Sequence, residues 1–255
     1  MPTETDNDAL LQYAVRLGDD ALMLGHRLSE WCSRAPFLEE DLAITNVALD
    51  YLGRARMFYS YAAQREGKGR SEDDFAYLRD CRDYQNFLIN ELPRGDFAYT
   101  MARQFLVDAF NIELLAAITQ STDETLAAIA AKSYKESKYH LRRSSNWMLR
   151  LGNGTEESHA RLQHALQELW PYAHELFEMD ALEQRLAAAG IAADLAALKP
   201  AWENRLKPLL AEATIACPVG QQAVRGGRQG LHTEHLGHML SELQFLQRAY
   251  PGLKW

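Results

Sequence analysis

The 255-residue chain carries 27 Lys and Arg against 35 Asp and Glu, a net charge of −8, and 47% of its residues are hydrophobic. This is an ordinary composition for a globular protein with a substantial core, and its negative balance disfavours nucleic acid and anionic membranes as partners. No apolar run approaches the roughly 18–20 residues of a membrane span, and the opening MPTETDNDAL lacks the basic-then-apolar pattern of a secretion signal.

The first segment places Leu10, Tyr13, Leu17, Leu24 and Leu28 at three- and four-residue intervals, the spacing of an amphipathic helix. After the break at SRAP, residues 37–64 are apolar on nearly all sides, which predicts a helix buried among others. EGKGRS ends it, and a third helix is expected over about 72–91, stopped by Pro93 and Gly95. A fourth runs from Phe97 to about Thr119. A fifth follows the N-cap types Ser121, Thr122 and Asp123 and reaches about Leu151. GNGT stops it, Thr155 restarts the chain, and Pro171 should kink or split the next helix. Helices near 172–188 and 195–213, an irregular connection CPVGQQAVRGGRQG and a last helix from about Thr233 to Ala249 complete the pattern. No alternating strand pair, fixed-period repeat or phosphate loop occurs. The fold class expected is an all-α helical bundle in one domain over 1–255, with a core at about 8–190 and a C-terminal helical appendage at about 191–255. Cys32, Cys81 and Cys217 are odd in number and scattered, so they read as reduced thiols of a cytoplasmic protein.

The stretch GGRQGLHTEHLGHMLSE crowds three histidines and two glutamates. On one helix His235 and His238 are neighbours, but His235 and Glu242 lie about 10 Å apart at ~1.5 Å rise per residue, too far for one ion. Polar flank and interface contacts explain the run better, and His232, Glu234, His235 and Phe245 are the interface candidates. Phe245 projects away from the apolar stripe of Leu236, Met239, Leu240, Leu243 and Leu246.

A di-iron bundle needs a Glu from each of two helices and a Glu-x-x-His from each of two others. Here acidic or imidazole groups stand at Asp20, Asp50, Asp108, Glu136 and His140, yet the motif is missing. Asp50 is followed three residues later by Gly53, and Glu136 by Tyr139. The single Glu-x-x-His, Glu156 to His159, opens a helix beside a turn, where acids suit the helix dipole. Arg54 lies four residues after Asp50 and His140 four after Glu136. A buried carboxylate needs such partners, so these residues are read as a metal-free pseudo-site held by ion pairs and hydrogen bonds. No catalytic residue and no metal ligand is assigned.

Four motifs, VALDYLGRAR, KSYKESKYHLRRSSNW, LGNGTEESHARLQHALQELWPYAHELF and GLHTEHLGHMLSELQFLQRAYPGLKW, together resemble the C-subunit family of bacterial 1,2-phenylacetyl-CoA epoxidases. The likeness runs from about Tyr13 to Trp255. It implies a ferritin-like fold and an accessory, non-catalytic role in aerobic phenylacetate breakdown. It also implies pairing with a catalytic A subunit that holds the di-iron centre. A B subunit and an NADPH-dependent reductase with flavin and an iron–sulfur centre would complete the complex, and this chain would carry no cofactor. The resemblance further implies a border on the A subunit's groove for phenylacetyl-CoA. Asp83, Tyr84, Gln85 and Asn86 would lie there, with Gln184, Arg185 and Leu186 as a further contact; Arg79 and Arg82 add positive charge. Two alternatives stay open: an active di-metal oxygenase with unconventional ligands, and a free-standing ferritin-like binding module.

Overall fold

In the computed structural model, which describes residues 4–253, every regular element is a helix. The expected all-α class holds. Trp255, the last residue of the resemblance, lies outside the described residues. No helix among those described is long and apolar enough to cross a membrane. The eleven α-helices described are α1 (Glu4–Ser29), α2 (Leu38–Glu66), α3 (Glu72–Tyr77), α4 (Leu88–Glu91), α5 (Phe97–Ile118), α6 (Glu124–Gly152), α7 (Glu156–Ala173), α8 (Ala181–Ala188), α9 (Leu195–Glu212), α10 (Glu234–Leu243) and α11 (Phe245–Ala249).

Their contacts divide into two compact units. The first gathers Met1–Ser33, Leu42–Pro93 and Gly226–Trp255, and the second Arg34–Asp41 and Arg94–Arg225. Neither boundary coincides with a core ending near 190. Residues 191–225 stay with the second unit, while the chain from 226 onward folds onto the N-terminal helices.

In the first unit, the expected stripe of α1 is buried from Leu10 to Leu28. The helix expected over 72–91 is instead broken. The α3 helix is held by a reciprocal capping box between Ser71 and Asp74. A short 3₁₀ turn follows at Cys81–Asp83, in which Asp80 N donates to the Asp83 carboxylate at 2.9 Å. Residues 84–87 then run extended into α4, whose four residues are all buried. The C-terminal helix divides too. Gln244 is buried and donates from Nε2 to Tyr84 Oη at 3.0 Å and to the Arg79 carbonyl at 3.0 Å. This anchor separates α10 from α11, leaving Leu246 47% exposed rather than on the buried stripe.

In the second unit, α5 is buried on nearly every side and packs against α6, α7 and α9. Asp96, Asp123, Thr155, Asp180 and Asp194 each cap a following helix through a side-chain oxygen. Pro171 falls in the last turn of α7. The chain leaves the α-helix at Ala173 and passes through a 3₁₀ turn, His174–Phe177, before α8. Aromatic rings fill the seam: Phe177 packs edge-on to Phe110 at 5.6 Å and to Trp202 at 5.1 Å, and the Trp202 indole donates to the Leu106 carbonyl at 3.0 Å.

Candidate functional site

The most concentrated polar chemistry lies in the first unit, where two buried carboxylates and one half-buried carboxylate grip residues 84–91. Asp19, in the middle of α1, is fully buried and accepts four hydrogen bonds. The Tyr59 hydroxyl donates at 2.6 Å, the Gln85 amide at 2.8 Å, and the Arg79 guanidinium through two nitrogens. Its neighbour Asp20 accepts from the Phe87 amide at 2.7 Å, from Asn90 Nδ2 at 3.1 Å and from Arg228 Nη2 at 2.9 Å. Burial pushes the Asp20 carboxyl up to about 6, against the pull of Arg228. Arg228 also donates to the Gln85 carbonyl and lies over the Phe87 ring at 3.7 Å.

Glu91 is the third anchor and is wholly buried. One oxygen accepts from Thr233 N at 2.6 Å and Thr233 Oγ1 at 2.8 Å; the other from Asn86 Nδ2 at 2.8 Å and His232 Nδ1 at 2.7 Å. The other ring nitrogen of His232 faces the Tyr84 carbonyl at 2.8 Å. Both ring nitrogens thus face acceptors, which only the doubly protonated imidazolium satisfies. Burial lowers the affinity of His232 for its proton, but Glu91 outweighs it and the net shift is upward.

Glycines permit this clasp. A Cβ on Gly227 would stand 2.1 Å from the Asn86 carbonyl oxygen, and one on Gly230 2.3 Å from that of Arg82. Only residues without a side chain let 226–230 pass so close to 82–88.

Of the residues read as ligand contacts, Tyr84 and Asn86 are fully buried and already used inside the unit. Asp83 is exposed, and Gln85 is half-buried, accepting from Arg16 Nε at 2.9 Å. Gln184 and Arg185 are exposed on α8, whereas Leu186 is core. Arg79, read as adding positive charge there, is turned inward onto Asp19 and half-buried, and Arg82 stays exposed. The interface candidates divide similarly. His232 is corrected: with 2% of its side chain exposed it is an internal cation, because Glu91 and the Tyr84 carbonyl claim both nitrogens. Glu234 is exposed, His235 is half-buried with its carbonyl accepting from Arg27, and Phe245 is 61% exposed. An open groove of about 570 Å³ beside Phe245 is lined also by Cys81, Leu240 and Arg248.

The pseudo-site residues fall into both units. Asp20 and Asp50 belong to the first, with the buried Arg54 guanidinium 4.7 Å over the Tyr51 ring. Asp108, Glu136 and His140 belong to the second. There Asp108 and His140 are buried, and Glu136 is half-buried with Lys132 Nζ at 4.0 Å. Asp20 has given both oxygens to hydrogen-bond donors. Among the described residues no group of three or more His, Cys, Asp or Glu is set to hold a metal ion. The described residues do not fit a di-iron centre.

The sequence matches the Phenylacetic acid catabolic protein family over residues 1–255. The chain belongs to that family. A relative from Escherichia coli, the C subunit of 1,2-phenylacetyl-CoA epoxidase, is 48% identical over 246 residues, covering 96% of this chain and 99% of the relative. Membership of the Phenylacetic acid catabolic protein family agrees with the helical class and with the motifs that carry the resemblance.

Proposed function

We propose that this chain is the accessory, non-catalytic subunit of a cytoplasmic phenylacetyl-CoA 1,2-epoxidase, where it pairs with and stabilises a di-iron catalytic subunit. The observation that carries the reading is the end-to-end 48% identity to a protein named as the C subunit of that epoxidase. The site chemistry supports it. The inward carboxylates of Asp19, Asp20 and Glu91 are answered by Arg79, Arg228, His232 and main-chain amides. Oxygen chemistry, NADPH oxidation and the metal then belong to partner components. Where this subunit borders phenylacetyl-CoA, Asp83 and Gln85 of one segment and Gln184 and Arg185 of the other present the accessible side chains.

The test is metal analysis combined with co-purification. The chain purified alone should carry background iron, and it should co-purify with the catalytic subunit when the two are co-expressed. Phe245→Asp should weaken that pairing without lowering thermal stability. Stoichiometric iron with oxygen consumption by this chain alone would establish a di-metal oxygenase instead. A stable free chain that ignores the catalytic subunit would establish a binding module.

A further inference from the structure

One face of α6 has a charge unlike the rest of the molecule. Lys132, Lys135, Lys138, Arg142 and Arg150 are all exposed and recur at intervals of three, three, four and eight residues, so they line one side of the helix. At ~1.5 Å per residue the line is about 27 Å long. The whole chain has net charge −8, yet this face offers five cations and one half-buried acid, Glu136, near Lys132. Lys135, Lys138, Arg142 and Arg150 form no ion pair among the described residues. Three cations rest on rings instead: Lys138 is 4.4 Å from the Tyr134 centroid, Arg142 5.6 Å from Tyr139, and Arg150 5.2 Å from Trp147.

Like charges three and four apart on a helix repel one another. A helix that needs only a solvated face mixes signs, as α9 does with Glu203 and Lys207 at 2.7 Å. We propose that this α6 ridge is a docking surface for a carboxylate-rich face of another subunit of the complex, a claim that rests on the subunit reading above. A ridge along one helix is convex, whereas sites for small phosphorylated ligands are concave, so a coenzyme is a poor fit. A nucleic acid would meet the opposing charge of the remaining surface. The rings hold the cations in place before contact, which lowers the entropy lost when they meet carboxylates.

The experiment compares wild-type chain with K135E/K138E/R142E. Each is titrated with the catalytic subunit, the small subunit and the reductase separately, at low and high salt, with coenzyme A as a further probe. Expected is a loss on the order of tenfold or more in affinity for one protein component, with the wild-type affinity falling steeply as salt rises. A melting temperature equal to wild type would show that the fold is kept; if the reversal variant fails to fold, K135Q/K138Q/R142Q should give a smaller loss for the same component. Unchanged affinity for every component, or loss of coenzyme A binding alone, overturns the proposal. Wild-type chain that binds no component overturns the subunit reading and the ridge together, whereas wild-type binding that the variants leave intact overturns the ridge only.

Discussion

Replacing His232 by Gln tests the clasp most directly. The pair with Glu91 has 2% and 0% of its side-chain surface exposed and a 2.7 Å contact. Breaking a buried ion pair by removing one partner costs about 3–5 kcal/mol, because the remaining charge is left uncompensated. Glu91 would keep three donors, two from Thr233 and one from Asn86, which argues for the lower end, about 3 kcal/mol. At about 2–4 °C per kcal/mol for a chain of this size, the melting temperature should drop by roughly 6–12 °C. The pH dependence has a fixed sign. His232 binds its proton more tightly folded than unfolded, so its contribution is complete below the unfolded value of about 6.5 and is lost as pH rises through the folded value. Differential scanning fluorimetry from pH 6 to pH 9 should therefore show wild type losing stability that the variant never had. Limited proteolysis should release the segment after residue 225 faster in the variant. A melting temperature within about 2 °C of wild type at pH 6 would refute the claim that this ion pair holds the C-terminal segment.

Asp20 shares that sign, as an acid whose proton is also held more tightly in the folded state. Its stabilisation is present at low pH and is lost between the unfolded value of 3.8 and about 6, a difference of about 3 kcal/mol. Urea melts at pH 4.5 and pH 7 should show that slope in wild type and not in Asp20→Asn. Asp19→Ala should cost about 3–5 kcal/mol by the same measurement, since it strands the Arg79 guanidinium and the Tyr59 hydroxyl. Gly227→Ala forces a Cβ against the Asn86 carbonyl oxygen and should destabilise by about 1–3 kcal/mol, with the loss read in the amide exchange of residues 84–91.

Much of the fold is legible in the sequence because periodicity and caps carry it. The α1 stripe, the boundaries of α5 and α6, and the stops at GNGT and after Pro171 follow from residue type and spacing alone. The breaks at 78–87 and at Gln244 are hidden because tertiary partners impose them: Tyr84 and Gln244 are polar-tipped residues whose helix preference is overridden by each other and by Arg79. The site is less legible. Residue type and position single out Asp20 but not Asp19 or Glu91, and they match neither Arg228 nor His232 to its acid. Sequence spacing reveals pairs three or four residues apart, whereas Asp20 and Arg228 are separated by 208 positions. One usable signal is the run RGGRQG: three glycines in five residues mark a backbone that must pass close to another, and Arg228 sits among them.

The adjacent acids Asp19 and Asp20 are each answered by a cation of this chain. Successive residues on a helix point about 100° apart, so the two carboxylates cannot converge on one ion from the same stretch of chain. They reach instead to different guanidiniums, Asp19 to Arg79 and Asp20 to Arg228, and each also takes an amide from the extended segment between them. The two anions, Asp19 buried and Asp20 half-buried, are met by two cations of the same chain, so the charges balance locally. Glu91 with protonated His232 repeats the arrangement and ties the same segment from its far end. A metal at any of these points would have to displace an arginine or an imidazolium that already fills the carboxylate's lone pairs, and the displaced cation would then be buried unpaired. The clasp is therefore self-sufficient: it fixes Asp83 and Gln85 at the surface by immobilising Tyr84, Asn86 and Phe87 beneath them, and it does so with charges supplied by this chain.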